Sequence, residues 1–291
     1  MYSPQRELIF DVGMHQGFDT EFYLAKGFRV VAVEANPVLA RKAEEKFSSA
    51  IADDRLRLLN VAIASRAEPV TFWSNDQYDD WGTTSDEFVQ RNAAAGTSMH
   101  AVTVPGLPLQ RILDEHGTPH YLKIDIEGSD SLCLEALRGR EIPQYLSIEA
   151  DLTSPDAMFA QLAAMWELGY RHFQILNQGC NRWRECPNPA REGQYVKASF
   201  GAFSSGLFGE ELPDEWMCAT DLVSLAKPLV REQQTYGLNA PHYRSIPGRG
   251  YKALRRLLHN PVAWYDIHAR AEPARKPAMP AAERAVATNA A

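Results

Sequence analysis

The 291-residue chain is short of several things, and each shortage removes a class of protein. It has four cysteines, Cys133, Cys180, Cys186 and Cys218. They are too few and too scattered for a disulfide framework. Cys180 and Cys186 lie close together, but no C-x-x-C and no matching histidine pair follows, so reduced thiols are expected over a metal site. No apolar run approaches the roughly 18 residues of a membrane span. The N-terminal Met-Tyr-Ser-Pro-Gln-Arg-Glu lacks the basic-then-apolar order of a secretory signal, so the expected location is cytoplasmic. Positive charge is scarce too: 30 basic and 37 acidic residues leave a net charge of −7. Arg249 to Arg256 is the one basic concentration, and apolar residues interrupt it. A phosphate-backbone binder carries a basic stripe, so nucleic acid is not an expected partner.

What is present is ample material for a core, with 45% apolar residues. Short apolar runs alternate with helical patterns. Leu8 to Val12 reads as a strand buried on both faces. A turn with Gly13 and Gly17 follows, and Asp19 or Thr20 is placed to cap the next helix. Phe28 to Val33 is a second strand, and Pro37 starts a helix running to about Phe47. Leu56 to Ala64, His120 to Ile126, Gln144 to Glu149 and Tyr170 to Leu176 read as further core strands. Val70 to Trp73 and His100 to Val104 read as extra ones. Pro155 to Leu168 is a helix with Met158, Leu162, Met165 and Trp166 at core spacing.

This alternation predicts an α/β fold with a doubly wound, mostly parallel sheet. The expected organisation is a single domain over 1–270. Its core spans about 8–176, and a Gly- and aromatic-rich lid or substrate segment about 177–216. A C-terminal helical extension follows over about 217–270. Residues 271–291, rich in Ala and Pro, are expected to be a disordered tail. The polar loop from Ser74 to Ser85 is long enough to suggest function.

Right-handed crossovers put every parallel strand's carboxyl end on one edge. Asp11, Glu34, Asp125 and Glu149 should therefore share a rim. The dinucleotide fingerprint is G-x-G-x-x-G, which brings backbone against a pyrophosphate. Here Met14 and His15 stand where its second glycine would be, which favours a ligand without phosphate. Glu34, about twenty residues after the turn, is placed to accept both hydroxyls of a ribose.

Three stretches carry a family resemblance. Asp11-Val12-Gly13-Met14-His15-Gln16-Gly17-Phe18-Asp19-Thr20, Val33-Glu34-Ala35-Asn36-Pro37 and Leu122-Lys123-Ile124-Asp125-Ile126-Glu127-Gly128 resemble the FkbM family of S-adenosylmethionine-dependent methyltransferases. The resemblance covers about Leu8 to Leu176. It implies a class I, Rossmann-like sheet of seven strands with inserted loops, and methyl transfer to a hydroxyl of a sugar, glycan or polyketide-type acceptor. On it, Asp11, Gly13 and Gly17 surround the methionine part of the cofactor, with Asp19 and Thr20 beside them. Glu34 holds the ribose, with Asn36 next to it. Asn60, Val61 and Ala62 lie near the adenine.

Methyl transfer to oxygen needs a positioned hydroxyl and a group that takes its proton. Asp125 is the first candidate base and also a cofactor contact. Glu127, Glu149 and His15 follow. Lys123, on the same side of its strand as Asp125, is expected to lower the pKa of a paired acid. Asp125, Glu149 and Asp151 could also hold a divalent metal, although none is expected. The competing readings are a nicotinamide-dependent oxidoreductase on a similar sheet and a non-catalytic relative acting as a binding partner. The oligomeric state stays open, a homodimer included.

Overall fold

A computed structural model describes residues 5–201, 203–237 and 240–272. Ten strands form: β1 (Gln5–Val12), β2 (Arg29–Val33), β3 (Leu56–Leu59), β4 (Ala62–Ile63), β5 (Pro69–Asn75), β6 (Met99–Leu107), β7 (Pro119–Ile124), β8 (Tyr145–Glu149), β9 (Tyr170–Asn177) and β10 (Tyr265–Ala271). The helices are α1 (Phe18–Ala25), α2 (Pro37–Lys46), α3 (Ser48–Ala52), α4 (Asp86–Ala94), α5 (Leu109–His116), α6 (Asp130–Ala136), α7 (Pro155–Leu168), α8 (Ala219–Tyr236) and α9 (Ile246–Leu257). Seven strands make the main sheet in the order β3-β2-β1-β7-β8-β10-β9, and β4-β6-β5 make a small second sheet. The main sheet is parallel except for β10, which runs antiparallel to both β8 and β9.

Register explains the rim. Val12 pairs with Val33 and with Ile124, and Ile124 pairs with Ile148. The residues that follow are Gly13, Glu34, Asp125 and Glu149, so they emerge in a row. The antiparallel β10 enters at this same edge and sets Asp266 opposite Glu149.

Several expectations change. The run read as one strand over Leu56–Ala64 divides, β3 pairing in the main sheet and β4 in the small one. β7 ends at Ile124, so Asp125 and Glu127 belong to the loop. Glu127 takes a positive φ of 50°, which strand geometry excludes. The C-terminal extension is not only helical, because it delivers the seventh strand. That strand runs to Ala271, and residues 273–291, expected as a disordered tail, lie outside the described residues. Trp166 is 44% exposed rather than in the core, with Arg171 over its ring.

Both sheet faces are covered. Phe10, Leu122 and Ile148 pack against α5, α7 and α8 through Ile112, Met165 and Ala226. On the other face, Tyr121 and Tyr145 meet Phe22 and Tyr23 of α1 and Phe208 from the irregular segment. Phe208 is fully buried and stacks on Tyr121 at 4.8 Å between centroids. Much of the 177–216 segment therefore serves as a covering layer for the sheet. Among the described residues, no helix is long and apolar enough to cross a membrane.

Candidate active site

A cavity of about 790 Å³ opens along the rim. Its first wall is the glycine turn. The N–H groups of Gly13 and Met14 both donate to the Val33 carbonyl at 3.0 Å. A Cβ at Gly13, whose φ is +91°, would lie 1.7 Å from the Asp125 carbonyl oxygen. The glycine is thus required by contact with the neighbouring strand end. Gly17 (φ +76°) precedes α1, and a Cβ there would strike Met14 and the Phe47 ring.

Glu34 sits across from the turn. Its carboxylate accepts the His15 and Asn36 backbone N–H groups, each at 2.7 Å. Burial pushes its pKa up from 4.5 to about 7, against the effect of those two bonds. His15, at a positive φ of 52°, also binds Asp79 through Nε2 at 3.0 Å. Gln16 donates to the other Asp79 oxygen at 2.9 Å, so the polar loop latches the turn.

The far wall is acidic. Asp125, Glu127 and Glu149 have carboxylate oxygens within 4.8 Å of one another. Burial pushes Glu127 up to about 7, with Arg91 opposing and Asp125 reinforcing the shift. Arg91 of α4 pairs with Glu127 at 2.9 Å. Burial raises Glu149 well above the usual carboxylate range, and Glu127 and Asp125 add to it. Asp266 is raised for the same first reason. Asp151, weighed as a metal ligand, turns away and accepts the Thr153 N–H and hydroxyl.

Lys123 lies beneath this wall, nearly buried. Its Nζ is 3.3 Å from Asp11, 3.6 Å from Asp19 and 3.5 Å from Asp125. The expected lowering of a partner's pKa does not appear at Asp11, where burial outweighs Lys123 and raises it.

Gly13, His15, Asp19, Glu34, Ala62, Asp125, Glu127 and Glu149 all line the cavity. Asp11, Gly17, Thr20, Asn36 and Asn60 stand behind it. Thr20 donates to Asp11 at 2.6 Å. Asn36 accepts the Val38 N–H and so starts α2. Asn60 donates to the Glu34 carbonyl at 2.8 Å. Neither Asp19 nor Thr20 caps α1. Both face inward, and Asp19 accepts the Ser204 hydroxyl at 2.8 Å and the Ser205 N–H at 2.9 Å.

Other lining residues were not singled out from sequence. Arg91 stands on α4, a helix that carries no conspicuous apolar periodicity. Gln178 comes from the irregular segment, while Tyr236, Tyr243, Lys252 and Trp264 come from the C-terminal region. That region contributes more of the wall than the 177–216 segment, which supplies Gln178 and residues 203–205. The Arg249–Arg256 cluster was its one visible signal.

No curated protein matches the sequence. Solved structures with a similar course include precorrin-6y C5,15-methyltransferase from Geobacter metallireducens, at 13% identity and TM-score 0.34, covering 60% of this chain and 69% of that one. A SAM-dependent methyltransferase from Archaeoglobus fulgidus matches at 13% identity and TM-score 0.34, covering 92% and 88%. An O-methyltransferase from Bacillus cereus, in complex with SAH, matches at 16% and 0.32, covering 59% and 67%. A family model described as the methyltransferase FkbM domain matches residues 11–172, more than half of the chain. The chain belongs to the FkbM methyltransferase family.

Proposed function

We propose that this protein binds S-adenosylmethionine in the rim cavity and methylates a hydroxyl oxygen of a small molecule, of sugar, glycan or polyketide type. The residues present suit the cofactor. Glu34 offers a carboxylate with lone pairs left for a ribose diol after its two backbone bonds. The turn at Gly13–Gly17 lacks the open glycine pair that a pyrophosphate needs. The acidic wall complements a ligand with positive charge at its sulfonium and ammonium groups. When bound, the cofactor supplies a methyl group activated by that sulfonium.

The observation that carries the oxygen reading is the carboxylate wall, with Glu127 held near 7. An alcohol surrenders its proton as it attacks, so a base matched to neutral pH assists it. Asp125, its side chain 46% exposed beside Lys123, is placed to receive and orient the hydroxyl. Glu127 takes up the proton behind it, with Glu149 lining the same wall. Tyr236, Tyr243 and Trp264 exclude water on the opposite side.

Calorimetry with S-adenosylhomocysteine and with NAD tests the first half. Binding of S-adenosylhomocysteine is expected, and binding of NAD alone would sink the reading. For the second half, an acceptor screen should yield a methyl ether. A product methylated on nitrogen or carbon would overturn the oxygen assignment.

A further inference from the structure

Beside the cavity runs a groove of about 510 Å³. The two share Gln178, Lys252, Val262, Ala263 and Trp264, so they are continuous. The groove is lined by Arg182, Arg249, Lys252 and Arg256, and among the described residues no Asp or Glu lines it. That composition stands out in a chain of net charge −7. Among the described residues, none of these four cations makes an ion pair. Lys252 instead donates to the Tyr243 carbonyl at 2.6 Å.

A second observation lies at the junction. Gln178 is 5% exposed, and among the described residues its Nε2 has no hydrogen-bond partner. Its Oε1 is already taken by Asn181 at 2.6 Å. Buried amide donors are normally satisfied, and an acceptor atom of a bound ligand at this junction would satisfy this one. Trp183 and Trp264, 43% and 47% exposed, flank the same groove with flat apolar faces.

We infer that the groove is a phosphate site that anchors the methyl acceptor, and that the acceptor is a phosphorylated or diphosphate-linked hydroxyl compound. The inference rests on the methyl-transfer reading for the acceptor's role, but not for the groove's chemistry. The charges divide along the continuous cavity. Carboxylates crowd the end where a cationic cofactor and a reacting hydroxyl belong. Guanidinium groups gather at the other end, where they can hold phosphate oxygens in bidentate fashion. Gln178 then donates to an oxygen at the join, and a sugar or base ring lies against Trp264 or Trp183.

The test is titration of the full-length protein with inorganic pyrophosphate, with uridine diphosphate glucose, and with phosphatidylcholine vesicles doped with phosphatidic acid. S-adenosylhomocysteine is titrated in parallel. Pyrophosphate should bind, and the double variant Arg249→Ser/Arg256→Ser should weaken it by about tenfold or more, with the S-adenosylhomocysteine affinity unchanged. Both positions are exposed on α9, so folding is spared. Competition by the nucleotide sugar would assign a soluble acceptor. Groove-dependent vesicle binding without that competition would assign a lipid-borne phosphate. No pyrophosphate binding, or equal binding by the variant, would overturn the inference. A wild-type protein that binds S-adenosylhomocysteine but not pyrophosphate loses only the groove. One that binds pyrophosphate but not S-adenosylhomocysteine loses the methyl-transfer reading.

Discussion

Glu34 makes two pH-dependent demands that run in opposite directions. Its carboxyl is 7% exposed, and burial moves its pKa from 4.5 to about 7. The folded protein therefore holds this proton more tightly than the unfolded chain does. The stability it brings is fully present below about pH 4.5 and is lost as pH climbs through about 7. The difference corresponds to about 3 kcal/mol. Ligand binding pulls the other way. On the proposed placement, ribose hydroxyls would donate to the ionised acid, so the competent fraction rises with pH. With a value of about 7, apparent affinity should improve about tenfold between pH 6 and pH 8.

Calorimetry of S-adenosylhomocysteine binding and thermal melts of the free protein, both across that range, read the two effects. Glu34→Gln cannot ionise, and it places an amide N–H against the His15 or Asn36 N–H. The variant should bind about 10- to 100-fold more weakly at pH 8, as loss of charge-assisted bonds implies. Its binding should also lose the tenfold rise. Glu127 titrates in the same window, so only the difference between wild type and variant reports on Glu34. Parallel pH profiles for the two proteins would refute the placement of the ribose on Glu34.

Other residues carry shorter tests. Lys123→Met leaves Asp11 and Asp19 buried without their cation, so chemical denaturation should show a loss of about 3–5 kcal/mol. That loss should shrink toward acid pH as Asp11, whose pKa burial raises, takes up a proton. Phe208→Ala empties a fully buried site beside Tyr121 and should cost about 3–5 kcal/mol in the same assay. Asp125→Asn should bind S-adenosylhomocysteine normally, while methyl transfer falls about 10²- to 10⁴-fold. Transfer at the wild-type rate would remove Asp125 from the proton path. Gly13→Ala, with a Cβ 1.7 Å from the Asp125 carbonyl, should lose at least about 3 kcal/mol and the cofactor with it.

The half of the site built from strand ends was legible, because its logic is local. A buried parallel strand reads as an apolar run, and the residue after it must stand on the rim. Glu34 follows from that rule, whereas Asp125 needed the earlier end of β7 at Ile124, and Asp11, expected on the rim, lies inside it with Gly13 in its place. The register then sets Gly13, Glu34, Asp125 and Glu149 side by side. The other half depends on long-range returns of the chain, which leave no periodic trace. β10 shows why. Tyr265 to Ala271 alternates apolar and polar residues, a pattern that signals a strand with one wet face. Yet it lies between β8 and β9 with Asp266 and His268 buried. Burial holds the His268 pKa down at about 3, so the ring is neutral there. Asp266 is tolerated because burial raises its pKa well above the usual carboxylate range, so it can carry a proton beside Glu149. This polar strand occupies an inner position because its buried acid and imidazole are held neutral and its remaining charge, Arg270, pairs with Glu210 at 3.1 Å, and neither device is visible in sequence. The same return of the chain carries Trp264 and Tyr265 onto the cavity. The C-terminal wall of the cavity and the seventh strand are therefore one feature, and misplacing the strand conceals the wall.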